Sequence, residues 1–186
     1  MKRFLATTLI TLACATLLAA TASAQKANPM VGGAPMYRTK DIVDNAVNSK
    51  DHTTLVAAVK AADLVSTLKG SGPFTVFAPT NAAFAKLPDG TVDTLLKPEN
   101  KGTLSKVLTY HVVAGNYDSK MLMKLIKQGK GKAMLKTVSG GTLTAMMNGN
   151  GITLTDEKGG MANVSTADVY QSNGVIHVVD TVLMPN

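Results

Sequence analysis

Phe74-Thr75-Val76-Phe77-Ala78 is a short aromatic and branched run shut between Pro73 and Pro79. Such a run, with proline at both ends, reads as a buried strand. Pro79 cannot continue a ladder, so the strand stops there. Thr80 and Asn81 follow at once, offering side-chain oxygens to the free N–H groups of a helix over 82–87, and Phe84 turns back into the core. A chain carrying this stretch must fold around a buried strand that feeds directly into a helix.

The remaining punctuation sorts the chain into a helical first half and a strand-rich second half. Ile42, Val43, Ala46 and Val47 recur at helical spacing behind Asp41, a plausible cap. Leu55, Val56 and Val59 share the face of a second helix over 53–62, and a short turn over 64–68 ends at Gly70. Further helix is expected over 92–96 and 102–109, then an amphipathic helix over 121–128. Strands are expected at 110–113, 134–137, 142–146, 152–155, 162–170 and 175–183. Asn148-Gly149-Asn150-Gly151 makes a strong hairpin turn, because Asn and Gly tolerate positive φ. This order predicts an α+β domain; no internal repeat is visible.

The ends set the compartment. Lys2 and Arg3, an apolar stretch over 4–20 and the close Ala22-Ser23-Ala24 have the order of a secretory signal peptide cleaved after Ala24. The mature chain, 186 residues less 24, has 162, enough for one core, and the single cysteine, Cys14, leaves with the signal. The exported domain then folds by packing alone, without disulfides. Residues 25–38, rich in Gly, Pro and Ala, read as a flexible leader ahead of a domain spanning 39–186. After signal removal no apolar run is long enough to span a bilayer.

With the signal gone, 17 basic residues face 12 acidic ones, a net +5 with histidine neutral. Lys120, Lys124, Lys127, Lys130, Lys132 and Lys136 concentrate that charge. One arginine, no tryptophan and few aromatics leave nucleic acid without its stacking and fork partners. The run reads as a solvated face, with weak attraction to an anionic polymer, cell wall or lipid surface as the alternative.

Catalytic constellations each lack a member. His52, His111 and His177 are mutually out of helical reach and show no metal-ligand spacing. No G-x-S-x-G elbow occurs. Gly129-Lys130-Gly131-Lys132 is followed by Ala133 where a phosphate loop needs Ser or Thr. Asp156 and Glu157 are adjacent, and in a strand would point to opposite faces. No catalytic residue, metal site or cofactor is therefore expected, and the chain reads as a non-enzyme.

Three stretches carry a resemblance: the strand-to-helix run from Thr75 to Phe84, Tyr110-His111-Val112-Val113, and Ser172-Asn173-Gly174 leading into Val175-Ile176-His177-Val178-Val179-Asp180-Thr181-Val182-Leu183-Met184-Pro185. In this order they resemble the hallmark segments of fasciclin (FAS1) domains, and Ile42-Val43-Asp44 and Leu55-Val56-Ala57-Ala58-Val59 are similar to the family's opening. The resemblance covers about 39–185. It implies a wedge-shaped β-sandwich of about seven short strands packed with several helices, secreted or surface-attached. It also implies binding to a protein, matrix or cell-surface component rather than catalysis, with a periplasmic or extracellular location. The family's proposed receptor contacts map onto Tyr110, His111, Asp168 and Val169. On residue grounds alone, His111 and His177 sit in apolar strands and read as hydrogen-bonded core histidines. Met121, Met123, Met134, Met146, Met147 and Met161 fit core filling or, with the family's link to pigments, carriage of an apolar small molecule such as a pigment or lipid.

Overall fold

The computed structural model describes residues 28–186; the signal-peptide and early leader expectations fall outside the described residues. Seven strands form the main sheet in the order β4-β3-β9-β8-β7-β6-β5. They are β3 (Phe74–Pro79), β4 (Val112–Ala114), β5 (Lys132–Lys136), β6 (Thr142–Asn148), β7 (Gly151–Thr155), β8 (Met161–Gln171) and β9 (Gly174–Val179). All neighbours are antiparallel except β3 and β9, which run parallel beside the β4 edge. β8 bends the sheet. Its first residues pair with β7 and its later ones with β9, with register irregularities between Val164 and Thr166 and between Thr166 and Val169. The two halves face each other, and a bridge between Val113 and Thr137 joins the edge strands into a near-barrel.

Side-chain alternation places two cores on the two faces of β3 and β9. Val76, Ala78, Ile176 and Val178 face the helical layer, with α1 (Ile42–Ala46), α2 (Thr53–Ala61), α4 (Asn81–Ala85) and α6 (Lys101–Tyr110). Phe77, Val179, Leu143, Ala145, Ile152, Leu154 and Ala162 fill the space between the sheet halves, closed by Leu122 and Ile126 of α7 (Ser119–Gln128). β3 and β9 are buried on both faces, which is why their sequences read as continuous apolar runs. Gly174 opens β9 because a Cβ there would lie 2.0 Å from the Phe74 carbonyl oxygen.

The expected strand-to-helix junction forms as read: Thr80 caps α4, its Oγ accepting from the Ala83 N–H at 3.2 Å. α3 (Val65–Leu68) and α5 (Thr91–Leu95) also form where expected. Three expectations change. The strand expected over 175–183 ends at Val179. Residues 110–111 are not strand: α6 runs through Tyr110 and His111 caps its end, so β4 starts only at Val112. The His111 ring, bonded to the Val107 carbonyl one turn back and to the Leu183 N–H of the C-terminal tail, holds this helix end where the apolar run reads as β.

From residue 28 the leader is not a free arm. β1 (Met30–Val31) and β2 (Ala34–Pro35) form a small hairpin that buries Val31 and Met36 against α1. The Lys50 N–H donates to the Gly32 carbonyl at 3.1 Å, pinning the hairpin to the domain. Two apolar side chains suffice because they enter a recess already lined by Ala78, Ile176 and Val178.

Candidate functional site

The four candidate contact residues fall at two separate places. Tyr110 and His111 lie at the end of α6, and Asp168 and Val169 at the irregular stretch of β8. Tyr110 is fully buried, its hydroxyl donating to the Thr142 carbonyl at 2.8 Å and accepting from the Glu157 N–H at 3.2 Å. Burial pushes its phenol up to about 12. His111 is 3 % exposed. The Leu183 N–H lies 3.0 Å from its Nε2 and the Val107 carbonyl 2.9 Å from its Nδ1, so the ring is neutral with the proton on Nδ1. Burial lowers its pKa.

Around Asp168 the backbone adopts φ +61, a left-handed conformation rare outside Gly, Asn and Asp. Its carboxylate accepts from the Ser119 N–H at 2.7 Å and the Ser119 hydroxyl at 2.5 Å, at the start of α7. Asp118, the α7 N-cap, accepts from the Met121 N–H and from the Tyr170 hydroxyl. Val169 is 1 % exposed in the helix-side core. His177 completes this cluster: its Nε2 donates to the Tyr117 carbonyl at 2.8 Å and its Nδ1 accepts from the Asp168 N–H at 3.4 Å. Its ring stacks on Phe77 at 5.6 Å, and burial lowers its pKa.

No hydrogen bond among the described residues joins the two places; Phe77 lies between them. Its N–H donates to the His111 carbonyl while its ring meets His177. Tyr110, His111 and Val169 thus present no side-chain surface to a partner in this conformation, and Asp168 is half-buried with its carboxylate engaged.

Sequence reasoning missed a buried polar residue that ties three distant backbone groups together. Asn173, read only as part of a turn, is 7 % exposed. Its Oδ1 accepts from the Ile42 N–H at 3.1 Å, and its Nδ2 donates to the carbonyls of Leu68 at 2.8 Å and Gly70 at 2.9 Å. Beside it, Asn45 bonds both backbone groups of Tyr37 and the Gln171 amide oxygen. The available signal was an Asn before Gly at the mouth of a buried strand, a turn with no other reason to lie next to α1 and α3. Ser49 and His52, 2.8 Å apart through Nδ1, form a further buried pair under the N-terminal hairpin. Burial lowers the His52 pKa, and its Nε2 has no hydrogen-bond partner among the described residues.

Asp156 and Glu157 do not form a catalytic pair. They hold the C-terminal tail, Asp156 accepting from the Met184 N–H at 2.9 Å and Glu157 from the Asn186 N–H at 3.4 Å. Among the described residues no cluster of His, Cys, Asp and Glu could hold a metal ion. No helix of these residues is long and apolar enough to cross a membrane.

An apolar cleft of about 90 Å³ lies between α1–α3 and the β3–β4–α6 surface. Ile42, Val59, Leu64, Phe74, Val112 and Val138 are among its walls. The expected methionine core filling holds poorly: Met121, Met134, Met147 and Met161 are exposed, and none lines this cleft.

The model of the fasciclin domain family matches residues 50–185. Protein sll1483 of Synechocystis sp. is 49 % identical over 144 residues, covering 77 % of this chain and 73 % of that protein. The immunogenic protein MPB70 of Mycobacterium bovis is 38 % identical over 145 residues, 75 % of this chain and 66 % of its own. Human periostin is 32 % identical over 136 residues, 73 % of this chain but 15 % of periostin. A solved FAS1 domain pair from the insect cell adhesion molecule fasciclin I superposes with a TM-score of 0.69 at 20 % identity, covering 78 % of this chain and 51 % of that one. That likeness shows the shared fold. The chain belongs to the fasciclin domain family.

Proposed function

We propose that this protein is an exported, non-catalytic binding module of adhesion type, contacting a surface, matrix component or partner protein in the periplasm or outside the cell. The observation that carries this reading is that the chain's described body is a fasciclin domain, in a family that includes periostin and a protein named cell surface glycolipoprotein MPB83. The buried polar groups support it. Tyr110, His111, His177, Asp156 and Asn173 are engaged in holding strands, tail and helices together, which leaves them unsuited to turnover chemistry. In this reading Tyr110, His111, Asp168 and Val169 serve binding indirectly, by keeping the fold intact, and contact is made elsewhere on the exterior. Immobilised protein should capture a partner from the native envelope. Alanine at Tyr110 or His111 should lower capture only in proportion to the fraction unfolded. Loss of capture from fully folded variants would restore them as contact residues.

The apolar cleft favours a second reading, carriage of an apolar small molecule. Its volume of about 90 Å³ is smaller than the engineered apolar cavity of about 150 Å³ that binds benzene, so as it stands the cleft takes a short alkyl group or part of a ring. A larger guest requires α1–α3 to move apart. Protein purified from its native host should then yield an extractable apolar compound, and Val59→Trp, which fills the cleft, should abolish its retention.

A further inference from the structure

The net positive charge of the described domain resides in one stretch. Ser119 to Thr155, spanning α7, β5, β6 and β7, holds six lysines and no Asp or Glu, whereas the other described residues hold ten basic and twelve acidic side chains. All six lysines are exposed, and the ion pairs among the described residues use Lys69, Lys86 and Lys101 instead. Lys120, Lys124 and Lys127 line one stripe of α7 with Met123 and Gln128. Like charges at this spacing repel, and Lys120 in the first turn opposes the helix dipole. Among the described residues no ion pair offsets that cost.

The stripe continues onto the sheet edge. Leu122 and Ile126 of α7 pack in the same core as Ala133 and Leu135 of β5, so Lys132, Met134 and Lys136, alternating with them, face outward. Lys130 and Gly131, both exposed, join the two elements in left-handed backbone, φ 55 and 101. Met134, flanked by two lysines, is 75 % exposed, the most exposed large apolar side chain described. Glu157 stands at the rim, but its carboxylate is occupied by the Thr142 and Asn186 N–H groups.

We propose that this α7–β5 end docks on an anionic lipid bilayer surface. The stretch has no aromatic residue for base stacking and no arginine for a fixed phosphate fork. Lysine ammonium groups on long stems suit fluid, laterally mobile headgroup phosphates. A methionine standing between two of them adds an apolar group that enters the headgroup boundary, for which a soluble polyanion offers no counterpart. This inference rests on the binding-module reading and names one surface for it.

The exported chain is sedimented with vesicles of phosphatidylcholine alone and of phosphatidylcholine mixed with phosphatidylglycerol. Partition onto the anionic vesicles should exceed the neutral ones by at least about tenfold and vanish in 1 M salt, where the Debye length falls to about 3 Å. Each lysine at such a surface is worth about fivefold, so Lys132→Glu with Lys136→Glu should weaken partition by about 25-fold or more. Lys50→Glu with Lys97→Glu, the same change in net charge on exposed sites elsewhere, should stay within about twofold. Met134→Ser should weaken partition without changing its salt slope. Thermal melts confirm that the variants fold. Equal binding to both vesicle types, equal losses from the two lysine pairs, or retention on heparin without vesicle partition overturns the proposal. If partner-protein capture persists in any of those cases, the binding-module reading survives while this surface assignment falls.

Discussion

The Leu183 N–H donates to His111 Nε2 at 3.0 Å, tying the C-terminal tail to the end of α6 through a histidine that must stay neutral. Protonation would place a hydrogen where the ring now accepts one. His52, His111 and His177 are all buried, and burial lowers the pKa of each from 6.5. The unfolded chain therefore takes up more protons than the folded one as pH drops below about 6.5. Stability should be full above that value and fall progressively as pH moves down toward the folded-state values. Urea denaturation at pH 8, 6 and 5 measures this, and His111→Gln should flatten the slope. A stability that is constant or rising toward pH 5 would contradict it.

Asn173→Ala should be among the most damaging polar substitutions. It removes the acceptor for Ile42 N and the donors to Leu68 and Gly70, leaving three backbone groups of the α1–α3 layer without partners. Buried groups so abandoned cost about 1–3 kcal/mol each, and partial relaxation gives an expected loss of about 3 kcal/mol or more. Asn173→Asp keeps only the acceptor and should recover little. The urea midpoint reports both.

Tyr110→Phe deletes the hydroxyl shared by Thr142 and Glu157 while keeping the ring against Gly141. The expected loss is about 1–3 kcal/mol. Tyr110→Ala adds a cavity and should cost about 3–5 kcal/mol. Far-UV circular dichroism across a denaturant series separates the two.

At Asp168 glycine should be gentler than alanine. Both lose the two bonds to Ser119, worth about 1–3 kcal/mol together. Alanine must also hold φ +61, where a Cβ costs about 1 kcal/mol more. A ranking with glycine below alanine in thermal melts would show that the backbone is not strained there.

Removing residues 28–36 should destabilise the domain rather than trim it. Met36 is 2 % exposed and Val31 8 %, and their loss leaves the recess over Ser49 and His52 open. Met36→Ala alone should cost about 2–5 kcal/mol. Unchanged stability on deletion would mean the hairpin is dispensable.

Residues 74–87 show how far local sequence reaches. Pro73, Pro79, Thr80 and the apolar run between them mark a strand, its stop and a capped helix from neighbours in the chain, although the strand's ladder partners β4 and β9 lie far along it. The hairpin at 148–151 and the apolar helix faces are equally local, because backbone sterics and period alone select them. Together with the ordered hallmark segments, this was enough for the α+β class and the family.

Other features depended on what lies across the molecule. The sequence of Tyr110-His111 fits a strand as well as a helix end, and only packing against Val107 and Leu183 selects the latter. The leader's two apolar residues look too few to pack until β9 and α1 supply their recess. Asn173 reads as a turn residue because its partners are more than a hundred positions away. The grouping of six lysines is visible in the sequence, but their alignment on one helix stripe and one sheet edge around Met134 is not. Composition and period are properties of neighbours in the chain. Burial, hydrogen-bond satisfaction and the direction a charge faces are properties of neighbours in space, and these the tertiary structure decided.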